Sequence, residues 1–158
     1  MTQTERLILR ARDAVANRLV RHLTVPTICF EAPWPGPDDH VDILAVDRAG
    51  TGDVHVVAIK GGSFDMKRTV ERLMRVPAQF RWLAALKRAF APWASSSKAP
   101  AFLYPRGEMG RIGLIEIVKT EDDGLGANIR FRAERFRGNL SKEADAFLAT
   151  HKPDIEFR

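Results

Sequence analysis

The chain has 158 residues, which is enough for one domain with a hydrophobic core of its own. Hydrophobic residues make up 45% and charged residues 28%, an ordinary soluble composition, and no apolar run approaches the about 20 residues of a membrane span. The net charge of +5 favours an anionic partner, nucleic acid first, while the single Cys29 excludes an intramolecular disulfide. We predict a cytoplasmic single domain over 1–158, with its core over about 4–137 and a short helix and mobile tail over 138–158.

The first predicted element is an amphipathic helix over 4–23, with Thr4 as the N-cap and Glu5 in the first turn. Its apolar side recurs at helical spacing and consists of Leu7, Ile8, Ala11, Val15, Leu19 and Leu23. A short strand over Thr24–Phe30 follows, and a loop rich in proline and glycine covers 31–39. In this loop Trp34 is expected to pack down as a lid.

Two β-branched runs, over 41–46 and 54–60, flank a turn-rich segment and predict a β-hairpin. If Val46 pairs with Val54, antiparallel register places Asp42 opposite Ala58, with Lys60 one diagonal step away. Opposed side chains have Cβ atoms about 5 Å apart. An acid and a lysine therefore converge in an apolar sheet, where burial of either charge alone is costly.

The remaining elements are predicted from periodicity and from turn residues. A helical pattern covers 63–91 and should be kinked or split at Pro77. A strand over Ala101–Tyr104 then forms a right-handed crossover to a parallel neighbour. The last predicted elements are a hairpin of strands over 111–118 and 127–132, and a short helix capped by Ser141 and ending at Ala149. This order predicts an α/β fold with a mixed sheet.

The hairpin resembles the core of the PD-(D/E)XK nuclease superfamily, in which one strand carries an acid and the next carries acid-x-Lys. Asp42 matches the first acid and Lys60 matches the lysine, whereas Ala58 stands where the second acid belongs. By element order the resemblance covers residues 5–118. It implies the restriction-endonuclease-like fold, with three α/β/α layers and a mixed central sheet.

The resemblance implies a site for Mg²⁺, which such nucleases hold with two carboxylates beside the scissile phosphate. Asp42 and Lys60 are the candidate catalytic residues, and Asp42 with the backbone carbonyl of Ile59 are the candidate metal ligands. A substitute for the missing second acid is sought among the nearby carboxylates Asp65, Glu71 and Glu31.

Basic residues concentrate in two stretches and are candidates for contacts with DNA phosphates. The helical stretch contributes Lys67, Arg68, Arg72 and Arg75. Arg130 and Arg132, in the last strand, are expected to share one face because side chains alternate along a strand.

Three hypotheses about the function remain open. The first is a degenerate nuclease-like domain that serves DNA binding or assembly without strong catalysis. The second is an active Mg²⁺-dependent DNA endonuclease or exonuclease with a displaced second carboxylate. The third is a protein-interaction module with no nucleic-acid role. By analogy with this fold, a homodimer is expected, and no membrane partner is.

Overall fold

A computed structural model describes residues 2–50, 52–93, 97–107 and 110–156, except for the side chains of Thr4 and Trp93. These residues form three α-helices, seven β-strands and two 3-10 segments. The helices are α1 Gln3–His22, α2 Met66–Arg75 and α3 Ser141–Thr150, and the 3-10 segments are Lys87–Trp93 and Ala101–Leu103. The strands are β1 Pro26–Ala32, β2 Val41–Asp47, β3 Asp53–Lys60, β4 Phe80–Leu86, β5 Gly113–Lys119, β6 Leu125–Phe131 and β7 Ile155–Glu156.

The strands form one mixed sheet in the order β6-β5-β4-β3-β2-β1-β7. Strands β1, β2 and β3 are an antiparallel meander, and α2 then carries the chain across to β4, which runs parallel to β3. Strand β5 is parallel to β4, and β6 returns antiparallel to β5. The predicted α/β class and mixed sheet are thereby confirmed.

The sheet has a helix-covered core on each face, because side chains alternate between faces along every strand. On one face α1 packs Val15 and Leu19 onto a layer of strand residues that includes Ile43, Val57 and Ile115. On the other face, α2 and α3 pack onto the alternate residues of the same strands. This second core includes Leu44, Val56, Leu83, Val70, Leu73, Ala144 and Phe147.

The predicted hairpin is confirmed, including its register. Val46 pairs with Val54, and the ladder continues to the pair Ile43–Val57. Asp42 therefore lies on the same side of β2 as Leu44, which faces α2. This register places the catalytic candidates beneath α2 and not beneath α1.

The prediction of a helical segment over 63–91 is wrong beyond Arg75. Helix α2 ends at its C-cap Val76, whose backbone is extended, as expected for a residue that precedes a proline. The segment Phe80–Leu86 is strand β4, which is buried on both faces. A short, continuously apolar run has no period that separates a buried strand from a buried helix, and this explains the error.

The misassignment of β4 also displaced the predicted crossover strand. The strand parallel to β3 is β4, and the segment Ala101–Leu103, predicted as that strand, is a 3-10 turn. The chain crosses over by α2 alone.

Three smaller predictions about element ends also need correction. The N-cap of α1 is Thr2 and not Thr4, because Thr2 and Glu5 form a capping box in which each side chain accepts the backbone N–H of the other. Ser141 begins α3 without capping it, and its N–H donates to Asn139 Oδ1 at 2.9 Å. In the tail, expected to be mobile, Ile155–Glu156 pairs with β1.

His55 lies at the opposite end of the hairpin from Asp42 and faces α1, as its position in the strand predicts. Its Nδ1 accepts a hydrogen bond from Trp82 Nε1 at 3.1 Å, and its ring stacks on Phe80 with centroids 4.3 Å apart. Burial lowers the pKa of His55 to about 4, with a further contribution from the nearby His22. The imidazole is therefore a neutral core group at physiological pH.

We predict that His55 makes the fold sensitive to acid. Because its pKa falls on folding, its contribution to the free energy of unfolding is complete above pH 6.5 and is lost as the pH falls toward 4. The loss should approach about 3 kcal/mol, since one pKa unit corresponds to about 1.4 kcal/mol. Urea unfolding of the parent and of His55→Gln between pH 7 and pH 4 measures it. Gln keeps an acceptor for Trp82, so equal pH dependence in both proteins would contradict the prediction.

Candidate functional site

A pocket of about 260 Å³ lies where the open end of the β2–β3 hairpin meets α2. We call it the Asp42 pocket. Its polar lining residues are His40, Asp42, Lys60, Thr69 and Arg72, and its apolar ones are Val41, Val57, Ala58, Leu73 and Val76. Asp42, Ala58 and Lys60, the three positions of the predicted motif, therefore come together in one pocket.

Asp42 completes the hydrogen bonding of the hairpin at this end. Its Oδ2 accepts a hydrogen bond from the backbone N–H of Ile59 at 2.6 Å. This amide lies beyond Ile43–Val57, the last pair of the regular ladder. A buried backbone N–H needs a partner, and here the side chain of Asp42 supplies it.

The electrostatic surroundings of Asp42 favour its protonated form more than water does. Burial raises the pKa of Asp42 above its ordinary value, and the negative charge of Glu31 adds to the rise. The Ile59 N–H, His40 and Lys60 each lower it without cancelling the effect of burial. The ionised carboxylate therefore reduces the stability of the fold at neutral pH.

Lys60 lines the pocket but does not neutralise Asp42 by direct contact. Within the described residues the two form no direct ion pair, so the close pairing considered from the sequence is not realised. Lys60 is the last residue of β3 and is only half-buried, so it needs no carboxylate partner to be accommodated. Its ammonium group therefore acts on Asp42 only through the electrostatic attraction that lowers the pKa of the carboxyl.

The three carboxylates proposed to replace the missing acid lie outside the Asp42 pocket. Asp65 is the N-cap of α2, where its Oδ1 accepts the N–H of Arg68 at 3.0 Å. Glu71 is exposed and lines a separate cavity beside Pro105. Glu31 remains close enough to influence Asp42 electrostatically, but its Oε1 lies 3.9 Å from Arg12 Nη1.

The backbone explains why Glu31 is directed away. Strand β1 pairs Phe30 with Ile43 and Ala32 with Val41, so Glu31 lies beside Asp42 in the sheet. Its φ of 49° places it in the left-handed region, which departs from the regular strand. The side chain consequently meets Arg12 of α1.

These residues do not fit the two-carboxylate Mg²⁺ site that the resemblance implies. In the part of the chain that the structure describes, no group of three His, Cys, Asp or Glu side chains is arranged to hold a metal ion. Position 58 offers only a methyl group, and Asp42 Oδ2 is already bonded to the Ile59 amide. The Ile59 carbonyl with one carboxylate is a poor set for an ion that prefers octahedral oxygen coordination.

The basic residues predicted to contact DNA form two separate groups. All four on α2 are exposed, and Arg68, Arg72 and Arg75 follow the helical spacing of one stripe. Arg72 is the member of this group that also lines the Asp42 pocket. Arg68, Arg72 and Arg75 thus form a basic surface on α2 beside the pocket, and the exposed Glu71 adjoins it.

Arg130 and Arg132 do not share a face as predicted. A register irregularity falls between the pairs Leu114–Phe131 and Ile115–Ile129, so an additional β6 residue is inserted there. Arg130 Nε consequently lies 3.7 Å from Glu116 Oε1. The positive charge of Arg132 instead contributes to lowering the pKa of His22, at the end of α1. Strict alternation along the sequence could not reveal this insertion.

Two pocket residues, His40 and Thr69, were missed as site candidates from sequence. His40 lies two positions before Asp42, a spacing that places side chains on one side of an extended chain, and this signal was available. Thr69 lies three residues before Arg72 on α2, and its hydroxyl donates to the Asp65 carbonyl at 2.9 Å. Trp34 is packed down as predicted, with Nε1 donating to the Pro77 carbonyl at 2.8 Å.

Comparison with known proteins adds information on the fold only. No protein-family model matches the chain, and no curated protein matches it. A solved structure, the SPO1766 protein of unknown function from Silicibacter pomeroyi, is similar with a TM-score of 0.57 and 18% sequence identity. The similarity covers 89% of this chain and 79% of that one. None of the described helices has the length and apolar character needed to cross a bilayer.

We predict that Asp42→Asn stabilises the protein at neutral pH. Because folding raises the pKa of Asp42, its ionised form destabilises the fold as the pH rises above the ordinary value of 3.8. Asn stays neutral and keeps an oxygen for the Ile59 N–H. The melting temperature should therefore rise at pH 7, and the gain should shrink toward pH 4.

The matched control is Asp38→Asn, which removes the same charge from an exposed loop position. It should leave the melting temperature nearly unchanged at both pH values. A lower melting temperature for Asp42→Asn than for the parent at pH 7 would mean that the ionised carboxylate stabilises the fold.

Proposed function

We propose that this chain is a nucleic-acid-binding domain of the restriction-endonuclease-like fold, derived from the PD-(D/E)XK type, whose metal site has lost one carboxylate. One observation carries the proposal. Asp42 and Lys60 converge with Ala58 in a single pocket, directly beside the basic surface of α2. This arrangement resembles the family's site, with a methyl group in place of one acid.

The order of the elements supports the proposed fold. A helix, three antiparallel strands, a helix and a strand parallel to the third follow one another, with helices on both faces of the sheet. The restriction-endonuclease-like core that the hairpin resembles has this order. Because element order is shared by unrelated proteins, the pocket supports the proposed function and the fold alone does not.

The residue at position 58 is the reason to propose binding without strong catalysis. Hydrolysis of a phosphodiester by this type of site needs divalent metal chemistry, and Mg²⁺ needs oxygen ligands. The pocket offers one carboxyl group, and burial favours its protonated form. Without a second carboxylate, the residues that remain are suited to holding an anion.

The basic surface of α2 supports nucleic acid as the partner. Lysine and arginine contacts to phosphates supply most of the affinity in non-specific binding and release counterions from the nucleic acid. Such contacts position a strand but carry no sequence information. We therefore propose binding with little sequence preference and with strong salt dependence.

We predict that Arg72→Ala combined with Arg75→Ala weakens DNA binding to a similar degree for unrelated sequences. If each arginine contacts one phosphate, the slope of log K against log salt should become shallower by about two, since each contact contributes about 0.9. Fluorescence anisotropy of a labelled duplex at several salt concentrations measures the slope. The control is Lys142→Ala with Lys152→Ala, which removes the same charge from exposed positions elsewhere.

Equal slopes for the arginine pair and the lysine pair would remove α2 from the DNA surface. The same preparations separate the alternatives when they are incubated with supercoiled plasmid and Mg²⁺ or Mn²⁺. Nicking that Asp42→Asn abolishes would establish the active nuclease with a displaced acid. If the protein neither binds DNA nor nicks the plasmid, the remaining hypothesis is a protein-interaction module.

A further inference from the structure

We propose that the Asp42 pocket binds a single phosphate group directly, without a metal ion, through Lys60 and Arg72. The inference follows from the misfit between these residues and a magnesium site. It rests on the proposed function in one respect, because nucleic acid is taken as the source of the phosphate.

The charges that line the pocket are mostly positive. Lys60 and Arg72 contribute two cationic side chains, and Asp42 is the one acidic lining residue. Within the described residues neither Lys60 nor Arg72 makes an ion pair or a side-chain hydrogen bond. Two cations that converge on a concave surface without partners favour a multivalent anion, and arginine matches the oxygen geometry of phosphate especially well.

The size of the pocket restricts the ligand to a small group. Its volume of about 260 Å³ lies below the about 300–1,000 Å³ of sites that enclose a drug-sized molecule. A phosphate group fits this volume, and a sugar and base attached to it would extend outward along α2. The remaining nucleotides would then lie against Arg68 and Arg75 on the exposed side of that helix.

Position 58 is acidic in the family's motif but is alanine in this chain, so it does not repel a bound anion. A carboxylate at position 58 would repel a phosphate held by Lys60, whereas Ala58 leaves the pocket uncharged at that point. Asp42 Oδ2 accepts the Ile59 N–H at 2.6 Å, and burial raises the pKa of this carboxyl, so the repelling ionised form is less favoured than in water. The hydroxyl of Thr69 already donates to the Asp65 carbonyl, so phosphate binding is assigned to the two cations.

The test is an NMR titration of the whole chain with inorganic phosphate in EDTA, at constant ionic strength maintained with chloride. We expect saturable shifts of the amides at positions 58–60 and 69–72. Arg72→Gln and Lys60→Gln should each weaken this binding at least tenfold. Arg68→Gln is the matched control, because it removes the same charge from the same helix outside the pocket, and it should leave phosphate binding unchanged.

Three results would overturn the inference: no saturable shift, a shift that appears only with a divalent metal, or equal weakening by Arg68→Gln and Arg72→Gln. A parallel titration with a single-stranded oligonucleotide in EDTA identifies the source. Phosphate binding without oligonucleotide binding would support the pocket and contradict the proposed nucleic-acid function. Oligonucleotide binding without a phosphate response would keep that function and overturn the pocket.

Discussion

The pairing of Val46 with Val54 decides which side chains of the central hairpin face α2 and which face α1. Because side chains alternate along a strand, a slip of one residue between the two strands would turn one strand over relative to the other, and Asp42 and Lys60 would then lie on opposite faces of the sheet. The same register directs His55 into the α1 core, where its ring stacks on Phe80. Thus both the candidate site and the acid-sensitive core group follow from one hairpin alignment.

Asp42 stabilises the hairpin through one hydrogen bond and destabilises the folded protein through its buried charge. Its carboxyl oxygen satisfies the Ile59 amide where the ladder ends, yet burial raises its pKa and penalises the ionised form. A neutral amide side chain would serve the hydrogen bond without that cost. Residues that reduce stability in this way are characteristic of functional sites. Lys60 and Arg72, which form no ion pair within the described residues, support the proposed binding of an anion.

The sequence was sufficient where structure is determined locally and insufficient where it depends on distant contacts. The hairpin and its register follow from β-branched runs on either side of a turn. Asp42, Ala58 and Lys60 can therefore be placed together from the sequence alone. Strand β4 could not be recognised, because burial on both faces removes its periodicity. The inserted residue near Ile129 and the left-handed backbone of Glu31 are likewise tertiary features, and they decide where Arg132 and Glu31 lie.

The Asp42 pocket does not fit a Mg²⁺ site, because position 58 offers no carboxylate. Melting curves of Ala58→Glu and of the parent, with and without Mn²⁺, test it most directly. Extending the hairpin register by one pair beyond Ile43–Val57 places the new carboxylate about 5 Å from Asp42 at Cβ, close enough to share one ion. Without metal the variant should melt below the parent, and Mn²⁺ should raise the melting temperature of the variant alone. An equal rise in the parent would contradict this misfit, because another carboxylate would then already complete the site.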